Sequence, residues 1–474
     1  MQHQNRKLIV ATLAFVAIVN LTACAGEPTS LDEGSAKRAR SSTAALGTGA
    51  TPGSVATLNP DDEDARIDRE ELIGYAGSFL DRNTGEIVVR VRGEIPAPGV
   101  MEQFAARHAN RFSGHRARWE TADYGFSELK GYFDLLARDV KAFNGTFLDV
   151  DEVANRVRVG IHAASDIATL NAVLASRGIP RAAIVTEIAP YLTDNAEPAD
   201  ADATGTGPGD GLQGYNRPLV GGLQTEYLDS NSGHMGLCTI GAVGTDFGSV
   251  LGFVTAGHCS TITGGAPDST LFYQGYFNGV TSPVARKAID PAFNPFMSGC
   301  SAGYSCRQSD AQFAEFDAFG PSYSQGYIAQ PVSMDDPDTT QAKWIANPAG
   351  IKITSMRAIP LAWIASNTTV FKVGRTTGLT TGTVGNTCVS VFLSNGHEFL
   401  CQVRVNGIYP TVLVAWHGDS GASVFSGSES SAMWEGILST VPVSPSSNYY
   451  YFSPSFNVIY ELSATNHGLN LVAP

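Results

Sequence analysis

The sequence predicts a mostly β protein, with an all-β C-terminal domain preceded by a small α+β region. Three observations predict it. From Leu219 onward, roughly twelve short β-branched and aromatic runs are separated by Gly, Asn, Asp and Ser turns, the spacing of barrels or a sandwich. Gly makes up 50 of the 474 residues while charged residues reach only 16%, a composition rich in turns and poor in long helices. Six of the seven cysteines lie after residue 230, which marks the C-terminal domain as the disulfide-bearing one.

The chain opens with an export signal. Arg6 and Lys7 precede an apolar run from Leu8 to Val19 that is too short to span a membrane. Two cleavage patterns overlap there. Leu21-Thr22-Ala23-Cys24 has the form of a bacterial lipobox, which leaves Cys24 as a lipidated first residue, and Ala23-Cys24-Ala25 fits ordinary signal cleavage. The lipobox is favoured because Cys24 is otherwise unpaired. The expected order is a signal peptide (1–25, lipobox-like at 21–24), a disordered tether (26–65), an α+β region (66–193), a linker (194–216) and the β domain (217–474). No later segment is apolar and long enough to cross a bilayer, so a lipid on Cys24 is the one expected membrane contact. The product is expected outside the cytoplasm, secreted or anchored at the bacterial surface or outer membrane. A net charge of −14 argues against a nucleic-acid partner.

Residues 66–193 hold a weak internal repeat. Gly77-Ser78-Phe79-Leu80-Asp81 leads into Ile87-Val88-Val89-Arg90-Val91, and Gly145-Thr146-Phe147-Leu148-Asp149 leads into Val157-Arg158-Val159. Each copy reads as a hairpin of strand, polar turn and alternating strand. Apolar spacing of three and four predicts a helix over 126–143, and a second over 166–177 with Ser165 as N-cap and Gly178 as its stop. A last strand covers 183–188. The linker is Asp, Ala, Thr, Gly and Pro, from which no core can be built, and it is a natural site for proteolysis.

In the β domain, strands are expected near Val220 and at 236–243, 250–255, 271–277, 312–316, 369–373, 382–393, 400–405, 412–416, 423–425, 434–438 and 449–452, with a helix only at 455–462. The clustering of Cys238, Cys259, Cys300, Cys306, Cys388 and Cys401 gives Cys238–Cys259, Cys300–Cys306 and Cys388–Cys401 as the expected disulfides. A zinc site lacks any Cys-x-x-Cys pair, so no metal and no cofactor is expected.

Three short motifs carry chemistry. Gly418-Asp419-Ser420-Gly421 follows the strand-like run 411–415 and reads as a nucleophile on a tight turn, with the amides of Gly418 and Ser420 able to meet at one oxyanion. Alone it is equally a surface turn. Val254-Thr255-Ala256-Gly257-His258-Cys259 closes a strand with a histidine that could be a base or a structural ring. Asp310 enters an apolar strand and needs a partner there; Asp290, in a loop, and Asp317, after its strand, are its rivals.

Taken in order, Thr-Ala-Gly-His-Cys, Ser-Asp-Ala and Gly-Asp-Ser-Gly resemble the pattern of chymotrypsin-like serine peptidases over residues 217–474, most closely the secreted bacterial branch of α-lytic protease and the streptogrisins. Pro218-Leu219-Val220-Gly221-Gly222 is similar to that family's mature N-terminus. Val373-Gly374-Arg375-Thr376-Thr377-Gly378 is similar to the opening of its second barrel, and Gly436-Ile437-Leu438-Ser439 to the strand lining its cleft. The resemblance implies two six-stranded antiparallel barrels with the site in the groove between them. It implies a triad of His258, Asp310 and Ser420 that hydrolyses peptide bonds through an acyl-enzyme, with Gly418 and Ser420 as oxyanion hole. Ser439 would contact the aspartate, and Asp419 would pair with a buried basic group, Lys372 or Arg375. Val414, Ala415, Ser439, Thr440 and Val441 would line the cleft. With no acidic residue near Val414 and Ala415, an apolar side chain fits better than Arg or Lys. The chain departs from the family at Ala422, where a glycine is usual, and at Trp416-His417, where the bacterial branch often has a cysteine. The resemblance also makes 66–193 a pro-region, folding assistant and then inhibitor of a monomeric zymogen, with 194–216 as the processing zone. An unrelated accessory domain is the other reading of 66–193. A protease-like surface protein that binds without cutting is the other reading of the whole.

Overall fold

In a computed structural model the described residues are 59–192, 197–198 and 211–474, apart from 113, 229–234, 247–248, 266–267, 269, 276–281, 318–319, 337–344, 358–364, 443–447 and 464–468. The signal peptide, Cys24, the tether up to residue 58 and most of the linker lie outside them.

The described residues begin inside the stretch expected to be tether. A helix starts at Pro60, where the Asn59 side chain accepts the Asp61 amide at 2.9 Å and three acidic residues face the positive end of the helix. The repeat that follows is structural as well as sequential. In the first copy Tyr75–Asp81 pairs antiparallel with Glu86–Arg92, and after the helix Pro98–Arg107 the strand Ala117–Ala122 joins parallel. In the second, Gly145–Asp151 pairs with Arg156–Ile161, and after the helix Ile167–Arg177 the strand Ile184–Ile188 joins parallel. Helix Phe126–Asp139 lies between the copies and buries Phe126, Leu129, Phe133 and Leu136, the apolar stripe its spacing predicts. Ser165 does not cap the second helix. The Asp166 carboxylate instead reaches back and accepts the Ala163 amide at 2.9 Å, closing the short 3-10 turn that leads into the helix. Gly178 ends that helix at φ 68°, a left-handed angle that glycine adopts without strain.

Residues 224–454 contain two closed rings of strands. In the first, Gln224–Leu228 pairs with Met235–Thr239, which runs through Ile240-Gly241 into Ala242–Thr245. The ring continues through Leu251–Thr255, Gln312–Phe316, Ala285–Ile289 and Leu271–Tyr273 back to Gln224–Leu228, every pairing antiparallel. In the second, Thr369–Gly374, Gly378–Phe392, His397–Gly407, Tyr449–Pro454, Ser431–Thr440 and Ser423–Ser428 close on themselves, again antiparallel throughout. These are two six-stranded barrels. Strands Tyr323–Pro331 and Ile345–Met356, which the sequence does not announce, pair with each other outside the rings. Helix Ser455–Ser463 follows the last strand.

The run 411–415, expected to be a strand, is irregular. The Asn448 side chain takes the Val414 amide at 2.8 Å and donates to the Val412 carbonyl at 3.0 Å, while Thr380 Oγ1 donates to the Val414 carbonyl at 2.6 Å. Side chains thus supply the hydrogen bonds that a neighbouring strand would, and Val414 and Ala415 still reach the second-barrel core beside Val405 and Phe452.

The α+β region is joined to the second barrel by its sheet. Gly145–Asp151 pairs with the far end of Gly378–Phe392 through Leu148–Ser390 and Phe147–Val391. Tyr304, Cys306, Phe392 and Leu400 of the C-terminal domain are buried in one cluster with Phe133, Leu148 and Leu174.

Candidate active site

His258 and Asp310 lie just beyond the same end of two neighbouring strands, Leu251–Thr255 and Gln312–Phe316, which pair through Thr255 and Gln312. The register sets the two residues face to face. His258 Nδ1 is 2.6 Å from Asp310 Oδ2, and the His258 amide donates to Asp310 Oδ1 at 3.1 Å. The Gly257 amide donates to the Asp310 carbonyl at 3.1 Å, and Gln312 Nε2 bonds the carbonyls of Ala256 and Cys259 at 2.7 and 3.1 Å. Ser439 Oγ, from the second barrel, donates to Asp310 Oδ2 at 3.1 Å. Burial would raise the Asp310 carboxyl, but His258, Arg307 and Ser439 outweigh it and hold the group below the usual carboxylate range. The rivals are occupied elsewhere: Asp290 bonds Lys287 and Arg307, each at 2.8 Å, and Asp317 pairs with the exposed Arg286.

The Ser420 turn is clamped between the barrels. The Thr239 amide donates to the Ser420 carbonyl at 2.8 Å, and Thr239 Oγ1 to the Gly418 carbonyl at 2.9 Å. The amides of Asp419, Gly421 and Ala422 are committed to the carbonyls of Trp416, Leu438 and Asp419. Gly418 and Gly421 have φ of 90° and 86°. A side chain at Gly421 would meet the Thr239 carbonyl at 2.5 Å and the Ala256 amide at 2.9 Å, so the approach of turn to first barrel requires glycine there. Ala422 is fully buried in the second-barrel core.

Asp419 turns inward. Its carboxylate accepts the amides of Thr376 (2.8 Å) and Trp416 (3.1 Å), Thr377 Oγ1 (2.6 Å), and Lys372 Nζ at 3.1 Å. Burial opposes the charge, yet Lys372 and these donors hold the carboxyl below its ordinary value. Lys372 is the basic partner, while Arg375 directs Nε to Gln224 at 2.6 Å. A side chain at Gly374 would collide with the Asp419 carboxylate.

His417, before Gly418, is half buried with its ring edge-on to Trp416 at 4.9 Å, and its pKa is lowered by burial and then by the charge of His258. Val414, Ala415, Ser439, Thr440 and Val441 are all buried. Among the described residues, the hydroxyls of Thr440 and Tyr450 are buried with no hydrogen-bond partner.

Three disulfides join Cys238 to Cys259, Cys300 to Cys306 and Cys388 to Cys401. The first pins the loop beside His258. Cys238, His258 and Cys259, and likewise Cys300, Cys306 and Glu398, cluster closely enough for a metal. Their sulfurs are bonded in pairs, however, and offer no thiolate.

The sequence reading missed Thr239, Gln312, Ser453 and Arg307, which hold the backbone around these motifs. Arg307, three residues before Asp310, leaves one trace in the sequence: a basic residue entering an apolar strand.

No protein-family model matches the chain, and no curated protein sequence does. Solved structures do. A glutamic acid specific serine protease described as using a novel histidine triad in substrate binding is 22% identical, with a TM-score of 0.35, over 53% of this chain and 100% of that one. Thermobifida fusca protease A is 20% identical, with a TM-score of 0.34, over 54% and 99%. Nocardiopsis protease is 20% identical, with a TM-score of 0.33, over 53% and 98%.

Proposed function

We propose that the chain is a chymotrypsin-like serine endopeptidase made as a zymogen, exported and either secreted or held by a lipid on Cys24. The observation that carries this reading is the 2.6 Å contact of His258 Nδ1 with the buried Asp310, on the same pair of strands and in the chain order His, Asp, Ser. Serine is a weak nucleophile at neutral pH. His258 Nε2 takes its proton as Ser420 Oγ attacks the scissile carbonyl, and returns it to the leaving amine. Asp310 fixes the Nδ1–H tautomer and stabilises the imidazolium. The Gly418 and Ser420 amides hold the oxyanion, and the Lys372–Asp419 pair keeps their turn in shape. Water then repeats the sequence on the acyl-enzyme.

In this reading residues 66–193 are the pro-region and 194–216 the processing zone, and the working enzyme is 217–474. A peptide enters along Ser439, Thr440 and Val441, and its side chain meets Val414 and Ala415. A fluorophosphonate probe tests the reading. It should label Ser420 in processed protein and leave Ser420→Ala unlabelled; processed wild-type protein without label refutes it.

A further inference from the structure

We infer that Arg307 is a positioning residue for the His258–Asp310 pair, its guanidinium fixing the aspartate's loop and supplying a positive charge behind the pair. The inference rests on the catalytic reading above.

Arg307 has no exposed surface. One amino group bonds Asp290 Oδ1 at 2.8 Å, the other the Ala311 carbonyl at 2.7 Å, and Nε lies 3.6 Å from Glu461 Oε2. Glu461, on the C-terminal helix, accepts the amides of Gln308 (2.5 Å) and Ser309 (3.0 Å) and the Ser309 hydroxyl (2.7 Å). Ser453 Oγ accepts the Asp310 amide at 2.8 Å. Each residue from 307 to 311 is therefore tied down by a hydrogen bond, and Arg307 with Glu461 makes most of the ties.

The charge sits where it can act. A side chain built on Gly257 would begin 2.9 Å from Arg307 Nη1, 3.0 Å from Asp310 Oδ1 and 3.1 Å from Asp290 Oδ1. One small space thus borders the cation, the aspartate and a second carboxylate, and glycine beside His258 leaves it open. Among the described residues, the other charged groups facing this cluster are Glu461, Lys287 (2.8 Å from Asp290) and, beyond Lys287, Asp268; His417 faces His258 from the turn of Ser420. Arg307 is among the groups that hold the Asp310 carboxyl down, after His258. A cation there opposes protonation of His258, so the base stays free to lower pH.

The experiment is the pH dependence of kcat/KM on a peptide substrate, whose acid limb reports the protonation of His258 in the free enzyme. Arg307→Met should move that limb up by about half a pH unit or more, the size of effect one screened charge at this range produces. Arg307→Lys should bring it back. An unmoved limb in Arg307→Met, even with a lowered kcat, is the result of a merely structural role and overturns the inference. Should Arg307→Met not accumulate as folded protein, Asp290→Asn carries the test. Removing that carboxylate leaves the cations less balanced and should move the limb down; an unmoved limb there overturns the inference equally. Wild-type enzyme that neither cleaves nor takes the fluorophosphonate fails the catalytic reading itself, a result distinguishable from an active wild type whose limb does not respond.

Discussion

Lys372 and Asp419 form a fully buried pair directly under the turn that carries Ser420. Burial lowers the lysine's affinity for its proton, and the aspartate recovers only part of it. Lys372→Met leaves Asp419 charged, buried and short of its cation, which costs about 3–5 kcal/mol in comparable breaks. The expected outcome is a large fall in the thermal unfolding midpoint and loss of fluorophosphonate labelling, read on the same preparation; unchanged values in both exclude the role. Gly421→Ala should also abolish labelling, because its methyl group would sit against the Thr239 carbonyl and the Ala256 amide at a left-handed φ. The motifs around His258, Asp310 and Ser420 were legible because each is a short local signature. The sequence left Asp310 with two rivals and Asp419 with two possible cations, since Asp290 and Arg375 differ from the chosen residues only in where the chain carries them. Arg307 left only that one trace for the same reason: its partners Asp290 and Glu461 lie 17 and 154 residues away along the chain.

At the level of elements, the contact that matters most is strand Gly145–Asp151 on strand Gly378–Phe392. Both strands were legible, the first as the apolar arm of a hairpin and the second as a β-branched run between turn residues, and so was the repeat that contains the first. Their pairing was not, because a sheet edge joins through backbone groups that every residue shares. The run 411–415 failed in the opposite sense, a β-branched pattern whose backbone is satisfied by Asn448 and Thr380. The strand pairing has acids beside it. Asp149 Oδ2 accepts Asn386 Nδ2 at 2.6 Å, and Thr387 Oγ1 donates to Glu152 Oε1 at 3.2 Å. Burial and then the neighbouring Asp151 raise Asp149 to about 7, and burial and then Asp149 raise Glu152. Separated from the barrel, Asp149 should titrate at about 4. The joined state therefore binds a proton that the separated state releases. Its stability is full below about pH 4 and falls as pH rises through about 7. After cleavage in the linker, the two pieces are expected to co-elute on size exclusion at pH 5 and to separate at pH 8. Affinity should fall by up to about a hundredfold over that range. Asp149→Asn should flatten the dependence; equal retention at both pH values in wild type excludes it.

Over the whole molecule, the described residues form one unit in which two closed barrels meet at the Ser420 turn and a third body is stitched to the second barrel. Barrel closure is expected to be the slow step of folding. In the first ring Leu271–Tyr273 must return to Gln224–Leu228, and in the second Thr369–Gly374 must meet Ser423–Ser428 across more than fifty residues of chain. Such non-local pairings expend loop entropy before any contact rewards it. The α+β region answers with elements of local contact: two hairpins with short turns and two helices packed beside them. It can form early and present Gly145–Asp151 as a ready edge. On that edge the hairpin Gly378–Phe392 with His397–Gly407 can settle, its Phe392 and Leu400 covered by Phe133 and Leu148. The expected outcome is that residues 217–474, refolded from denaturant alone, recover several-fold less peptidase activity than the same chain refolded with residues 26–216 added in trans. The discriminating variant is Phe147→Asp in the added piece. Phe147 pairs with Val391 and packs with Val389, Val391, Phe399 and Tyr451 of the barrel rather than in the core of its own region, so a charge there spoils the joint and spares the hairpin. If the edge is the template, this piece should fold, as circular dichroism would show, and yet fail to assist. Assistance equal to that of the unaltered piece would mean that the region helps by another surface, and equal recovery with and without it would remove the folding role altogether.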